Sequence, residues 1–346
     1  MITIASVDHR LHAPKSELAF GEFVPPYENP RRVDSILSRI AETKLGPVLP
    51  PERFGPELIR RVHSAPLLTF LETAWNQWSA HFGKDAPPAL PLSWPVGGMR
   101  HIEPEGIAGK FAFFALDAST AITPTSWAAV RSAVDVALTA QKRVADGERT
   151  AFALCRPPGH HATADNYGGY CFINNAAVAA EAFRQGGARR VAILDVDYHH
   201  GNGTQAIFYR RPDVMFVSLH GAPETTYPYF AGYADEAGEG PGEGFNANYP
   251  LRHGTKWDAY GAALGHAIQR IENYGPDALV ISLGLDTFEK DPISYLKLRS
   301  EDYIRIGEAI ARLRRPTLFV MEGGYAIEEL GLNTVNLLQG FEAKAG

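Results

Sequence analysis

The stretch "ILDVDYHHGNGTQAIF" (residues 193–208) places two aspartates and two histidines within the six residues 195–200, directly behind the apolar run "RVAIL" (190–194). An unpaired carboxylate is costly to bury, and a second one beside it is worse because the charges repel. A positive group is therefore expected between them. The run ahead of the acids is strand-length, rich in Val, Ile and Leu, and does not alternate with polar residues. That is the pattern of a strand covered on both faces of a parallel sheet.

Four further runs read the same way: "TAFALC" (150–155), "VMFVSL" (214–219), "DALVISLG" (277–284) and "PTLFVME" (316–322). Helical segments such as "NNAAVAAEAFRQGG" (174–187) and "WDAYGAALGHAIQRIENYG" (257–275) lie between runs. The alternation predicts an α/β fold with a central, mostly parallel β-sheet flanked by helices on both faces. The first half adds helices near 31–43, 66–79 and 126–146, and "ITIASVD" (2–8) as a first strand. A length of 346 residues with no convincing linker suits a single domain over 1–346. Within it, residues 81–110 are dense in Pro and Gly and lack periodicity, the mark of a functional insert. Trp94 and Met99 are its apolar anchors. "GEGPGEG" (238–244) does not directly follow an apolar run, so it reads as a surface turn and not a phosphate loop.

Composition removes several function classes. The net charge of −6 and the lack of long Lys/Arg runs argue against a nucleic-acid partner. No segment resembles a secretory signal, and no apolar run approaches the ~20 residues of a membrane span. Cys155 and Cys171 are the two cysteines, too few for a disulfide framework or a cysteine zinc cluster, so a cytoplasmic location is expected. Both are expected to be packing residues.

In an open α/β sheet, ligands bind beyond the carboxyl ends of the strands. The residues after each run are His160 and His161, then Asp195, Asp197, His199 and His200, then His220, then Asp286, then Tyr325. Five strand ends thus send acids, imidazoles and a phenol toward one rim. In extended backbone, residues two apart point the same way. Asp197 and His199 can then share a metal, with Asp286 arriving from a neighbouring strand. Two carboxylates, one imidazole and an open position suit catalytic Zn²⁺ or Fe²⁺, and the ion would neutralise the buried acids.

The motifs "CRPPGHHA" (155–162), "GGYCFINN" (168–175), "LDVDYHHGNGTQAIF" (194–208), "SLH" (218–220), "LGLDTFEKDP" (283–292) and "MEGGY" (321–325) closely resemble the histone deacetylase family of the arginase–deacetylase superfamily. "PPYE" (25–28), the "LDTFEKDPIS" form and the Pro-rich insert resemble its bacterial acetylpolyamine amidohydrolase branch most. The resemblance spans nearly the whole chain. It implies a zinc amidohydrolase acting on small acetylated amines, with Asp197, His199 and Asp286 holding the metal. It implies His161 as general base and then acid, His160 as its partner with Asp195 behind it, and Tyr325 polarising the acetyl carbonyl. Gly169, Tyr170 and Tyr227 would line the channel, with Glu17 a candidate, alongside Glu103, Glu105 and Asp117, for attracting a distal ammonium. A structural K⁺ would sit on Asp195, Asp197, His199, Ser218 and Leu219, and a second cation near Phe208, Arg211 and Val214. The branch also implies a homodimer through the insert.

The chemistry suits these residue types. Two anionic ligands blunt the metal's effect on water, so a separate base near neutral pH is needed. Asn202 departs from the family, where many members place an acid behind this histidine; the amide should leave the pKa of His161 lower. The remaining readings are a deacetylase for acetyl-lysine in proteins, an arginase-type ureohydrolase, and a catalytically inactive acetyl-amine binding module. The first is disfavoured by the insert, the second by the small ligand set, the third by the intact His161 and Tyr325. His9, His12, His63, His101 and His253 are expected at the surface or in caps, and Phe111, Phe113 and Phe114 in the core.

Overall fold

A computed structural model describes residues 1–83 and 85–345. The strands are β1 (Ile2–Ile4), β2 (Glu17–Ala19), β3 (Glu22–Val24), β4 (Val48–Leu49), β5 (Thr150–Ala153), β6 (Val191–Asp195), β7 (Val214–Gly221), β8 (Asn246–Leu251), β9 (Ala278–Leu283) and β10 (Thr317–Met321). The helices are α1 (Arg31–Thr43), α2 (Ile59–Val62), α3 (Ala65–Phe82), α4 (Ile107–Phe114), α5 (Ser126–Ala145), α6 (Asn175–Gln185), α7 (Asn202–Phe208), α8 (Trp257–Tyr274), α9 (Ser300–Ala311) and α10 (Ile327–Ala345). Eight strands form one sheet in the order β4-β1-β5-β10-β9-β6-β7-β8, and every pairing in it is parallel. β2 and β3 form a separate antiparallel hairpin.

Both faces of the sheet are covered. Ala151, Ala153, Val191 and Ile193 join one hydrophobic cluster with α3, α4, α5 and α6. Their neighbours Phe152, Leu154, Ala192 and Leu194 join the other, with α1, α8, α9 and α10. Successive strand residues point to opposite faces, and both faces meet helices, which is why these runs do not alternate in polarity. α1 shows how a flanking helix is specified. Val33, Ile36 and Ile40 recur at helical spacing and are buried, and Lys44 ends the helix in the left-handed region with its N–H on Ala41.

The sheet order also locates the chemistry. The five strands whose ends carry the predicted residues, β5, β10, β9, β6 and β7, are consecutive in the sheet. Residues far apart in sequence therefore converge on one stretch of rim.

Some expectations need correction. α4 begins inside the predicted insert, so the irregular segment ends at 106. Trp94 does anchor it, donating its indole N–H to the Ala115 carbonyl at 3.0 Å. Met99 does not: it is 64% exposed, as are Leu92 and Val96 to similar or greater extents. Phe111 and Phe114 are buried and Phe113 packs against the same core. "GEGPGEG" contains a short 3₁₀ turn at Gly240–Gly242, consistent with a surface turn. His9, His12 and His63 are buried and not at the surface. His63 bridges the Thr163 carbonyl (2.8 Å) and the Asn174 N–H (2.9 Å), and His12 meets the Ser126 hydroxyl at 2.9 Å.

Candidate metal centre and active site

The backbone beyond β6 is laced by its own acids. Asp195 accepts the Asp197 N–H at 3.1 Å, and Asp197 accepts the His199 N–H at 2.8 Å. From the end of β9, Asp286 accepts the Tyr198 N–H at 2.7 Å through Oδ1. Its Oδ2 lies 3.0 Å from His199 Nδ1, which is 3.4 Å from Asp197 Oδ1. One donor atom from each of Asp197, His199 and Asp286 falls within 4.8 Å of the others, and all three residues are buried. Among the described residues no Lys or Arg pairs with either carboxylate.

Electrostatics support a cation here. Burial and the neighbouring Asp197 charge push the Asp286 carboxyl up to about 7. Burial also opposes ionisation of Asp197, but the positive charges at His160 and His199 outweigh it and hold that carboxyl well below its usual range. One acid is ionised and its neighbour resists ionisation, a conflict that a divalent ion between them removes. Two oxygens and one imidazole nitrogen form a donor set that suits Zn²⁺ or Fe²⁺.

The tandem histidines follow β5. His160 Nδ1 meets Asp195 Oδ2 at 3.0 Å. Burial works against the imidazolium, yet Asp197 and Asp195 overcome it and raise the pKa to about 10. His161 Nδ1 lies 2.7 Å from Asn202 Oδ1, while Asn202 Nδ2 donates to the His161 carbonyl at 3.3 Å. The amide orientation makes Nδ1 the protonated nitrogen, leaving Nε2 as the free base. Burial, followed by positive charge at His160 and His199, holds the pKa of His161 well below 6.5.

A cavity of about 460 Å³ is lined by His161, Tyr170, His199, Tyr227, Tyr325 and Glu17, among others. Gly169 also lines it, at φ +57°, and a Cβ there would come within 2.3 Å of the His161 ring. Only glycine fits both demands. Gly323 makes an equivalent close approach: an added Cβ would lie 2.5 Å from Asp286 Oδ2 and 2.6 Å from Asp197 Oδ2. Glu17 is 3% exposed, accepts the Tyr170 hydroxyl at 2.9 Å, and is pushed by burial up to about 7. Glu103, by contrast, pairs with Lys110 at 2.9 Å, and Glu105 is exposed.

Ser218 and Leu219 are buried in β7, Ser218 pairs in register with Asp195 of β6, and Ser218 Oγ meets His220 Nδ1 at 2.7 Å. His220 also contacts the Gly232 carbonyl, so it lies outside the metal cluster. Phe208 and Val214 are buried, while the Arg211 side chain pairs with Asp213 and Glu181. Cys155 and Cys171 are buried and free.

Asp117 is expected from the sequence only as a candidate for attracting an ammonium, a reading the structure corrects, and neither Glu322 nor the Glu28 network is read there. Asp117 accepts six hydrogen bonds, from the N–H and hydroxyl of Ser119, the N–H and hydroxyl of Thr120, the Gly169 N–H and the Tyr227 hydroxyl. Its acceptor capacity is filled by the protein, so it is not available to an ammonium. Glu322, fully buried, accepts the N–H groups of Gly159 (2.7 Å) and His160 (3.1 Å). It is an acid at the end of an apolar run, the same signal that drew attention to Asp195. Glu28 binds Arg156 through two bonds and Arg32 at 3.0 Å, all buried, and Arg32 lies 4.9 Å from the Tyr325 ring centroid.

Comparison with known proteins identifies the family. Residues 26–341 match the histone deacetylase domain. The chain is 55% identical over 342 residues to acetylpolyamine amidohydrolase 2 of Pseudomonas aeruginosa, covering 99% of each. It is 49% identical over 340 residues to the acetylpolyamine amidohydrolase of Mycoplana ramosa, covering 98% of this chain and 99% of that one. The crystal structure of acetylpolyamine aminohydrolase from Burkholderia pseudomallei superposes with a TM-score of 0.94 at 39% identity, over 100% of both chains. The chain belongs to the histone deacetylase domain family.

Proposed function

We propose that this protein is a metal-dependent amidohydrolase that removes acetyl groups from acetylated polyamines and diamines. The observation that carries the reading is one cavity lined by His199 of the Asp197–His199–Asp286 cluster, by His161, whose Nε2 is free, and by Tyr325. Full-length relatives with the acetylpolyamine amidohydrolase name support the substrate class.

Asp197, His199 and Asp286 would hold one Zn²⁺ or Fe²⁺. The ion supplies Lewis acidity toward an amide carbonyl and acidifies water. His161 takes the proton of the attacking water through Nε2, and the same nitrogen then protonates the departing amine. Asn202 fixes the tautomer that this requires. His160, paired to Asp195, contributes positive charge beside the reacting centre. The Tyr325 hydroxyl donates to the acetyl oxygen as negative charge develops on it. Tyr170 and Tyr227 with Gly169 form the channel walls, and Glu17 attracts the distal ammonium. Asp195, Ser218 and Leu219 would contribute to a K⁺ site. The exposed apolar side chains of the insert, Leu92, Val96 and Met99, support a homodimer that covers them. Two free cysteines fit a cytoplasmic enzyme.

The test is acetate release by metal-reconstituted protein from acetylated diamines, acetylated polyamines and acetyl-lysine peptides. The proposal expects the highest kcat/KM for the small amines. Preference for peptides would instead identify a protein deacetylase, and binding without turnover an inactive module.

A further inference from the structure

Asp291 lies five residues beyond Asp286, in the loop that follows β9. It is 7% exposed. Its Oδ2 accepts the Tyr325 N–H at 2.7 Å and its Oδ1 accepts the Ile293 N–H at 3.0 Å. Among the described residues no Lys or Arg pairs with it. A buried carboxylate without a cation is a large desolvation cost, offset here by two backbone donors. One donor belongs to Tyr325 and the other to Ile293, which lines the substrate cavity.

Upstream, Gly323 donates its N–H to Asp197 Oδ2 at 2.8 Å and its carbonyl accepts the Leu285 N–H at 3.1 Å, but neither bond reaches Tyr325. It follows Gly323 and Gly324, the latter at φ +116°, and α10 begins only at Ile327. The peptide unit between Gly324 and Tyr325 is instead gripped at both polar ends. Arg32 Nε donates to the Gly324 carbonyl at 2.7 Å, and Asp291 receives the Tyr325 N–H. The plane of this peptide sets the direction of the Tyr325 Cα–Cβ bond, and through it the place of the phenol oxygen. Contacts to the ring by Arg32 and by Tyr170, whose centroid is 5.8 Å away, restrain the ring but not that peptide.

We infer that Asp291 is a positioning residue for Tyr325: it fastens the Tyr325 peptide to the Asp286 loop and so aims the phenol at the acetyl oxygen. This rests on Tyr325 being the carbonyl-polarising group. A carboxylate is needed because both oxygens accept N–H bonds. An isosteric amide would turn an NH₂ group toward one of the two donors.

The experiment is a double-mutant cycle on metal-loaded protein, with Asp291→Asn, Asp291→Ala, Tyr325→Phe and Asp291→Asn/Tyr325→Phe. Steady-state kinetics on an acetylated polyamine are combined with metal content and thermal midpoint. Misaiming an oxyanion donor affects the transition state more than ground-state binding. Asp291→Asn should lower kcat by roughly 10-fold or more with KM within about 2-fold, and metal content should stay at one ion per chain. In the Tyr325→Phe background the Asp291→Asn loss should vanish, because no phenol is left to aim. A full multiplicative loss in the double variant overturns the inference, as does loss of metal or a wild-type kcat in Asp291→Asn. Should Asp291→Ala fail to fold, the isosteric Asn variant still decides. Wild-type turnover by Tyr325→Phe alone would remove the functional reading itself, an outcome distinct from failure of the Asp291 inference.

Discussion

Asn202→Asp tests the assignment of His161 as the base. In the native chain the imidazole Nδ1 lies 2.7 Å from a neutral amide oxygen, and burial keeps its pKa well below 6.5. As the proposed base, His161 would then be neutral at pH 7, and the acid limb of kcat/KM should fall at acidic pH. A carboxylate at 202 would put a negative charge about 4 Å from the imidazolium centre. At an effective dielectric constant of about 20 the attraction is about 4 kcal/mol, or about three pKa units. Asn202 also borders a second cavity of about 570 Å³, lined in part by Gln205, Arg210 and Glu236, which admits screening water. That screening and the cost of half-burying the new carboxylate reduce the expected rise to about one to two units. The sign follows directly: a raised pKa keeps His161 protonated over a wider acid range, so the base is lost earlier as pH falls. kcat/KM measured from pH 5 to 9 on an acetylated polyamine should show the acid limb moved upward by that amount, with the plateau above it largely retained. An acid limb that stays in place or moves down, in folded and metal-loaded variant, would refute His161 as the base.

The other expectations are independent of that one. Tyr325→Phe and His161→Ala should each lower kcat by on the order of 10²-fold with the fold intact, as steady-state kinetics and circular dichroism would report. Chelation should abolish activity, and one Zn²⁺ or Fe²⁺ per chain should restore it; a requirement for two manganese ions on elemental analysis would sink the metal assignment. Gly323→Ala should weaken metal retention in equilibrium dialysis, because its Cβ would lie 2.5 Å from Asp286 Oδ2. Replacing 85–100 with a short Gly-Ser linker should yield a monomer by light scattering and shift selectivity toward acetyl-lysine peptides; an unchanged oligomer and selectivity would show that the insert governs neither.

Much of the frame was legible in the sequence because the doubly covered strands leave a plain signal. "RVAIL" and its four counterparts have no polar alternation, and the acids and histidines after them mark where each run reaches the rim. α1 matches the predicted helix at 31–43, and α5 ends one residue short of the expected 146. β8 escaped because it is an edge strand whose sequence "NANYPL" carries two asparagines, bonded to Gln205 and not to a hydrophobic layer. The buried ion network was illegible for another reason. Glu28 and Arg156 are 128 residues apart, and neither position has local periodicity that demands the other. The same holds for His12 and Ser126, separated by 114 residues. Sequence pattern reports which face a residue occupies; it does not report a polar partner delivered by a distant loop.

The six bonds taken by Asp117 bear on how the enzyme discriminates among ligands. By tying the Gly169 amide and the Tyr227 hydroxyl to one carboxylate, it joins two loops of the channel into a single strut. A strut holds its gap whether or not anything fills it. With Gly169 and Tyr227 as the proposed channel walls, the passage would work as a fixed gauge: a ligand would order few protein groups on entering, so little of its affinity would be lost to arranging the walls. Cross-section would be judged at this gauge, with the same tolerance for every acetylated amine thin enough to pass. Differences among slender substrates would then arise where the tail of the amine meets other groups of the cavity, Glu17 among them.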